Sequence, residues 1–171
     1  MSHSSTLPLP ERALDLKKEP RRVLFVCTGN TCRSPMAAAL LLDMAAREQG
    51  VGAFAVTSAG LYAVDGAPIS ANAVAALRAA GVQETPENPY SSHQAHTVDE
   101  QMMAAADVVV AISGGHAMEL LMRYPAYAAK ITTLPFDIPD PFGGDFSVYR
   151  ECLDALAYAI RLKWATGDGE I

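Results

Sequence analysis

The chain has 171 residues, half of which are hydrophobic, and its formal net charge is −6 at pH 7. This length and composition predict a single domain with a full hydrophobic core. The negative charge argues against a nucleic-acid partner, which requires clustered Lys and Arg, and the absence of an apolar run of roughly 18 residues argues against a membrane partner.

The ends of the chain differ in composition from its middle. Residues 1–20 are polar, contain prolines and lack the apolar stretch of a signal peptide, so we interpret them as a flexible extension. The domain is predicted over residues 21–165, and residues 166–171 form a short tail. Three cysteines, an odd number, fit a reducing cytoplasm better than a disulfide scaffold.

Strand and helix patterns alternate along the domain. In chain order they predict strand one over 22–26, helix one over 35–47, strand two over 54–58 and helix two over 70–80. They continue with a short helix over 98–105, strand three over 107–112, a helix over 116–123 and strand four over 131–134. This alternation is typical of an α/β fold with an open parallel sheet between helices.

Several residues are expected to begin or end these elements. Gly50 is predicted to stop helix one, Gly60 to stop strand two, and Ser70 to cap helix two. Prolines make 136–144 an irregular loop, after which Ser147 or Asp145 caps a final helix that reaches about residue 162.

The segment between strand one and helix one has the character of an anion-binding loop. Its sequence is Cys27-Thr28-Gly29-Asn30-Thr31-Cys32-Arg33-Ser34. Successive backbone N–H groups in such a turn converge on one point, and the positive end of the following helix adds to the field. Ser34 followed by Pro35 is a helix-start signal, with Ser34 as the cap. Gly29 and Asn30 are residues that tolerate a left-handed backbone.

Three side chains in this loop point to phosphoryl chemistry. Arg33 offers a planar fork of donors that matches two phosphate oxygens. Cys27 lies at the base of the positive field, which favours the thiolate, the nucleophilic form of cysteine. The Ser34 hydroxyl can donate to that thiolate. The alternative is that Cys27 is a small buried hydrophobe and that Gly29-Asn30 is an ordinary turn.

The order Cys27-x5-Arg33-Ser34-Pro35 near the N-terminus resembles the low-molecular-weight protein tyrosine phosphatases. Those enzymes carry a late Asp-Pro as general acid, and this chain has Asp140-Pro141. The resemblance spans about residues 22–164. It implies a sheet order of 2-1-3-4 and loop residues Thr28, Gly29, Asn30, Thr31, Cys32 and Ser34 that bind substrate phosphate.

A narrower resemblance concerns the substrate. Tyrosine-directed members usually carry an aliphatic residue at the position of Thr31 and tyrosines after the Asp-Pro, whereas this chain has Asp140-Pro141-Phe142-Gly143-Gly144. These residues look like the bacterial protein arginine phosphatase branch. Thr31 can bond a polar guanidinium, and Phe142 can stack on its plane. The alternative is a tyrosine phosphatase in which Thr31 only packs like Val.

The expected mechanism uses Cys27 as nucleophile, Arg33 as the clamp on the phosphate oxygens and Asp140 as general acid and then base. Asp137 is a nearby competitor for the acid role. No metal and no cofactor are expected, because the loop and Arg33 supply the positive charge. The partners are then phosphorylated proteins, with inorganic phosphate as product, and the oligomeric state is left open.

Four further positions carry smaller predictions. By the resemblance, Ser58 supports the loop by binding Asn30, and Cys32 forms a reversible disulfide with Cys27 under oxidation. The His93-Gln94-Ala95-His96 segment has a metal-like spacing but lies in a predicted loop without a third ligand, so we expect ordinary histidines. Cys152 is expected in the core.

Two other functions compete with a phosphatase. A thiol-based arsenate reductase shares the loop, but it needs further cysteines between the loop and the acid, and none occurs between Arg33 and Glu151. A catalytically silent module could dock phosphoproteins. Binding alone needs neither a thiol nor an acid, so the presence of Cys27, Arg33 and Asp140 together argues against it.

Overall fold

The computed structural model describes residues 19–48 and 53–165. The α-helices in these ranges are α1 (Arg33–Arg47), α2 (Ala71–Ala79), α3 (Glu100–Ala105), α4 (Gly114–Arg123) and α5 (Phe146–Ala165). The strands are β1 (Arg21–Cys27), β2 (Phe54–Gly60), β3 (Val108–Ala111) and β4 (Ile131–Thr133), and 3₁₀ turns cover Tyr90–Ser92 and Pro125–Lys130. Within the described residues, no helix is long and apolar enough to cross a membrane.

The four strands form one parallel sheet in the order β2-β1-β3-β4, which confirms the predicted order. Cys27 at the end of β1 pairs with Gly60 of β2, and Val26 pairs with Ala111 of β3. Because parallel strands end at the same edge, the loops that follow β1 and β4 open on one side of the molecule.

Helices cover both faces of this sheet, as the prediction of a three-layer α/β fold, an open parallel sheet between helices, requires. Val23, Phe25 and Val110 point toward α1, α2 and α5 and lie in one core cluster with Leu77 and Leu156. The alternate strand residues Leu24, Val26 and Val109 point the other way and pack with Met103 of α3 and Leu120 of α4. The alternation follows from the two-residue period of a strand.

The main local correction concerns the start of α1. Ser34 was predicted to cap a helix that starts at Pro35, but the helix begins two residues earlier, at Arg33, with Cys32 at the cap position and no side-chain cap. Ser34 therefore lies inside the first turn, where its hydroxyl is free to bond other side chains. The Cys32 carbonyl accepts the first helical hydrogen bond, from the Met36 N–H at 3.1 Å, so Arg33 is already the first helical residue.

Other element ends moved by a few residues. Strand β2 runs on through Gly60, which was expected to stop it. Ser70 occupies the cap position of α2 but makes no side-chain cap bond, whereas Asp145 does cap α5 by accepting from the Val148 N–H at 3.1 Å. The 3₁₀ turn over Pro125–Lys130 was not predicted. The helix stop at Gly50, residues 1–18 of the extension and the tail over 166–171 lie outside the described residues.

Candidate active site

A cleft of about 220 Å³ opens at the carboxyl edge of the sheet. We call residues 27–34 the phosphate loop and residues 134–145, between β4 and α5, the acid loop. The cleft is lined by both: Cys27, Thr28, Gly29, Asn30, Thr31, Cys32 and Arg33 from the first, and Asp140 and Phe142 from the second. The two motifs, separated by more than a hundred residues of sequence, therefore meet in one site.

The Cys27 thiol at the end of β1 has a hydroxyl partner. Its Sγ lies 2.9 Å from the Ser34 Oγ. The same oxygen accepts a hydrogen bond from the Asn30 Nδ2 at 2.8 Å, which leaves the hydroxyl proton available for sulfur. Ser34 can thus donate to a thiolate at Cys27.

Asn30 is the structural centre of the phosphate loop. It is fully buried and adopts a left-handed backbone with φ of 57°. Its Nδ2 also donates to the Ser58 Oγ at 2.9 Å, so the contact expected for Ser58 is present, and its Oδ1 accepts from the His96 N–H at 2.9 Å. Gly29, the other residue expected to be left-handed, is not among the positive-φ residues.

Backbone groups at and just after the end of β2 hold the phosphate loop in place. The N–H groups of Leu61 and Tyr62 donate to the carbonyls of Cys27 and Thr28, both at 2.9 Å. A Cβ on Gly60 would lie 2.4 Å from the Thr28 carbonyl oxygen, so only glycine permits this approach. The sequence reading treated Gly60 as a strand stop and missed this role. His93, in turn, places its Nε2 2.9 Å from the Asn30 carbonyl, and burial lowers the pKa of its imidazole.

Arg33 connects the two loops. Its side chain is 8 % exposed, with Nη1 donating to the Ile138 carbonyl at 3.0 Å. Its Nη2 lies 3.5 Å from the Asp140 Oδ2, and the Asp140 side chain is 51 % exposed. The guanidinium is therefore held on the floor of the cleft, while the carboxylate faces solvent at its mouth.

The structure separates the two candidate acids. Asp140 lines the cleft, and its Oδ1 accepts from the Phe142 N–H at 3.1 Å. Asp137 instead accepts from the Gly114 N–H at 2.9 Å, at the start of α4. A carboxylate at a helix N-terminus is stabilised by the helix dipole. Asp137 thus has a structural partner, whereas Asp140 is the carboxylate that lines the cleft with Cys27 and Arg33.

A histidine that the sequence reading missed lies behind Thr28. The His116 Nε2 is 2.9 Å from the Thr28 Oγ1, and its Nδ1 is 2.8 Å from the Ser113 Oγ. The pKa of His116 is lowered by burial first and by the Arg33 charge second. Its only signal in sequence is its place after a buried strand, since ligands of α/β sheets bind beyond strand ends.

The second cysteine of the loop has an aromatic partner, also missed from sequence. The Cys32 Sγ lies 3.1 Å from the Tyr149 hydroxyl and 3.7 Å from the Thr31 Oγ1. Burial, followed by the hydrogen bond with Cys32, raises the pKa of Tyr149 to about 12. Cys152 is buried as expected, and that burial raises the pKa of its thiol to about 12.

Residues 22–166 match the low molecular weight phosphotyrosine protein phosphatase family. The chain belongs to that family. It is therefore a cysteine-dependent phosphatase, and the family's fold accounts for the meeting of the phosphate loop and the acid loop. Among the described residues, no group of three or more His, Cys, Asp or Glu side chains is arranged to hold a metal ion.

Individual relatives carry two different substrate names. A protein-arginine-phosphatase of Geobacillus stearothermophilus is 37% identical over 144 residues, 80% of this chain and 89% of the relative. A low molecular weight protein-tyrosine phosphatase A of Mycobacterium tuberculosis is 35% identical over 153 residues, 83% and 88% of the two chains. A structure of a YwlE arginine phosphatase mutant with a phosphorylated active-site serine is 31% identical with a TM-score of 0.77, covering 87% of this chain and 97% of that chain.

Proposed function

We propose that this phosphatase removes phosphate from phosphoarginine residues of proteins through a cysteinyl-phosphate intermediate. The observation that carries the proposal is the placement of Thr31 and Phe142 in the lining of the cleft that holds Cys27, Arg33 and Asp140. The protein-arginine-phosphatase name of a 37% identical relative supports the same substrate. Phosphorylated proteins are the substrates, and inorganic phosphate is the product.

In the first step the Cys27 thiolate attacks phosphorus in line with the leaving group. The backbone N–H groups of the phosphate loop and the Arg33 guanidinium bind the three non-bridging oxygens, on which the transition-state charge is spread. The bond between phosphorus and the guanidino nitrogen breaks, and protonated Asp140 donates its proton to that nitrogen. The products of the step are free arginine side chain and a phosphate bound to sulfur.

In the second step Asp140, now a carboxylate, takes a proton from water. The water oxygen attacks phosphorus, the bond between sulfur and phosphorus breaks, and Cys27 leaves as a thiolate that accepts a hydrogen bond from Ser34. Free phosphate and the starting enzyme result. The phosphorylated active-site serine in the YwlE mutant supports a covalent route, because it places phosphate on an active-site side chain of a relative.

Substrate choice follows from the rim of the cleft. A phosphoarginine presents a planar, polar guanidinium behind its phosphate. The half-buried Thr31 offers a hydroxyl to that group, and the exposed ring of Phe142 offers a face on which a guanidinium stacks. Asp140 can accept N–H bonds from it.

A phosphotyrosine substrate is the second candidate. It is supported by relatives named as tyrosine phosphatases, one of them 35% identical over 153 residues. A phosphotyrosine ring requires apolar and aromatic walls, which Phe142 supplies and Thr31 does not. A silent docking module remains the least favoured function, since the arrangement of Cys27, Arg33 and Asp140 serves bond breaking.

The experiment that separates these functions compares kcat/KM for one peptide carrying either phosphoarginine or phosphotyrosine, with Cys27→Ala as the blank. We expect a preference for phosphoarginine of about a hundredfold, equal to about 2.7 kcal/mol of differential transition-state binding. A preference for phosphotyrosine would leave the two-step chemistry in place and contradict the arginine specificity.

We also propose a protective oxidation. A peroxide converts the Cys27 thiolate to a sulfenic acid, and the Cys32 thiol then displaces water from it to form a disulfide. All three cysteines are free thiols. A reducing cytoplasm would keep them in this state, and we propose that the enzyme is cytoplasmic. Mass spectrometry of peroxide-treated protein tests the pairing, and a product without the Cys27–Cys32 linkage would contradict it.

A further inference from the structure

A chain of hydrogen bonds runs from the start of α4 to the phosphate-binding arginine. It begins at the Ser113 Oγ, passes through the His116 ring by contacts of 2.8 Å and 2.9 Å, and reaches the Thr28 Oγ1. The Arg33 Nη2 then lies 3.5 Å from the same Thr28 oxygen. Ser113 and His116 belong to the start of α4, which fixes where their side chains lie. Because the His116 ring contacts Thr28, the ring sets where the Thr28 hydroxyl lies.

The hydrogen bond between Ser113 and His116 takes the place of a side-chain cap at the start of α4. Ser113 occupies the cap position of α4, where a serine hydroxyl commonly accepts from the backbone N–H of the third helical residue. That residue is His116, and the hydroxyl bonds its ring instead. If Ser113 served only to start the helix, its hydroxyl would bond the backbone N–H of His116 rather than the ring.

His116 is suited to hold a hydroxyl and unsuited to move a proton. Burial and the nearby Arg33 charge lower the pKa of its imidazole, which keeps the ring neutral. A neutral ring has one donor and one acceptor nitrogen, and here hydroxyls occupy both. In either tautomer Thr28 retains a lone pair for the Arg33 N–H.

We propose that His116 is a positioning residue for phosphoryl transfer: by holding the Thr28 hydroxyl, it orients the Arg33 guanidinium toward the phosphate oxygens. The inference rests on the phosphatase chemistry proposed above but not on the identity of the phosphorylated side chain. The 3.5 Å contact between Arg33 and Thr28 is long, and active-site hydrogen bonds of this kind tighten when the substrate binds. Thr28 then supports one edge of the guanidinium while the Ile138 carbonyl supports the other.

Two substitutions at His116 form a matched pair. His116→Asn keeps a polar atom at the position of Nδ1, within reach of Ser113, and loses the atom that contacts Thr28. His116→Gln keeps a polar atom near the position of Nε2 and can retain that contact. With 4-nitrophenyl phosphate, a substrate independent of arginine specificity, we expect kcat/KM to fall about tenfold for Asn, the loss of about one hydrogen bond, and less than about threefold for Gln.

Vanadate binding separates positioning from a general loss of structure. Bound vanadate adopts the five-coordinate geometry of the transition state, so its affinity reports the alignment of Arg33. For His116→Asn we expect its dissociation constant to rise by the same factor as kcat/KM falls. A purely structural defect would reduce the active fraction and leave the dissociation constant of the active molecules unchanged, which would overturn the proposal.

A second variant guards against a failure of His116→Asn to fold. Thr28→Val removes the hydroxyl at the other end of the contact without changing side-chain volume. It should cost about tenfold as well, and the double variant should be no slower than the slower single one, because both remove the same interaction. Additive losses of about a hundredfold, or equal activities of Asn and Gln, would contradict the proposal. A wild-type protein that binds vanadate but hydrolyses neither a phosphoarginine peptide nor a phosphate ester would instead contradict the proposed function.

Discussion

The phosphate loop and the acid loop differ in how much of each is exposed. In the phosphate loop Cys27 is 2%, Asn30 0% and Arg33 7% exposed, and their polar atoms bond Ser34, β2 and the acid loop. In the acid loop the Asp140 side chain is 51% and Phe142 78% exposed. One loop is held in place before the substrate arrives, and the other presents side chains to it.

This difference separates chemistry, the breaking of the bond to phosphorus, from selection, the choice between phosphorylated side chains. A preorganised set of donors stabilises transition-state charge without rearrangement, which requires buried and fully bonded groups. Substrate-reading side chains must touch a group that arrives from solvent, and they lie on exposed loops carried by a rigid scaffold. Changes at the buried, bonded groups should therefore affect every substrate and stability. Changes at exposed side chains other than the acid Asp140 should affect particular substrates.

The largest effect is expected at the nucleophile. Cys27→Ala should lower kcat by about 10⁴-fold or more for any phosphorylated substrate, since no other group replaces the thiolate. Cys27→Ser should accumulate one covalent phosphate, detectable as a mass increase of the intact protein. A serine variant as active as the wild type would show that Cys27 is not the nucleophile.

The acid should rank second. Asp140→Asn keeps the shape of the side chain but carries no transferable proton, so kcat should fall about 10²–10⁴-fold. Asp137→Asn is the matched control, because its oxygen can still accept from the Gly114 N–H. We expect that variant to lose less than about tenfold. Steady-state kinetics on a phosphopeptide decides the assignment, and a larger loss at Asp137 would reverse it.

The hydrogen bonds of Asn30 should matter for both stability and rate. Asn30→Ala removes three side-chain hydrogen bonds and puts alanine in a left-handed backbone, which should lower the free energy of unfolding by about 3 kcal/mol. Asn88→Ala, at another buried asparagine that bonds the Ala39 carbonyl, should lose about 1 kcal/mol and keep full activity. Urea unfolding measures the stability of the two variants, and kcat/KM measures their activity. Equal losses of activity in Asn30→Ala and Asn88→Ala would be incompatible with the role of Asn30.

The smallest effect is expected at the exposed ring. Phe142→Ala should lower kcat/KM for a phosphoarginine peptide by about tenfold, the contribution of one guanidinium stacked on a ring. Its melting temperature should stay at the wild-type value, because the side chain is 78% exposed. Hydrolysis of 4-nitrophenyl phosphate provides the internal reference, and an equal fall for both substrates would assign Phe142 to chemistry rather than selection.

Sequence reasoning predicted the parts of the molecule that depend on neighbouring residues. The strand-loop-helix pattern around Cys27 and the cap at Asp145 follow from local preferences, and the confirmed strand order came from the family resemblance. The close approach of Gly60, and the contacts of His116 and Tyr149, depend on segments far apart in the chain. Ser34 shows both outcomes in one residue: the predicted cap is not made, whereas the predicted contact between its hydroxyl and the Cys27 thiol is present.

The most direct test of the separation of chemistry from selection is Thr31→Ile, because Thr31 lies in the phosphate loop but faces the rim. Its kcat/KM should be measured for 4-nitrophenyl phosphate, a phosphoarginine peptide and a phosphotyrosine peptide. We expect the first to stay within about threefold of the wild type while the ratio of the second to the third falls by about a hundredfold, or about 2.7 kcal/mol. An unchanged ratio, or an equal fall for all three substrates, would contradict the account.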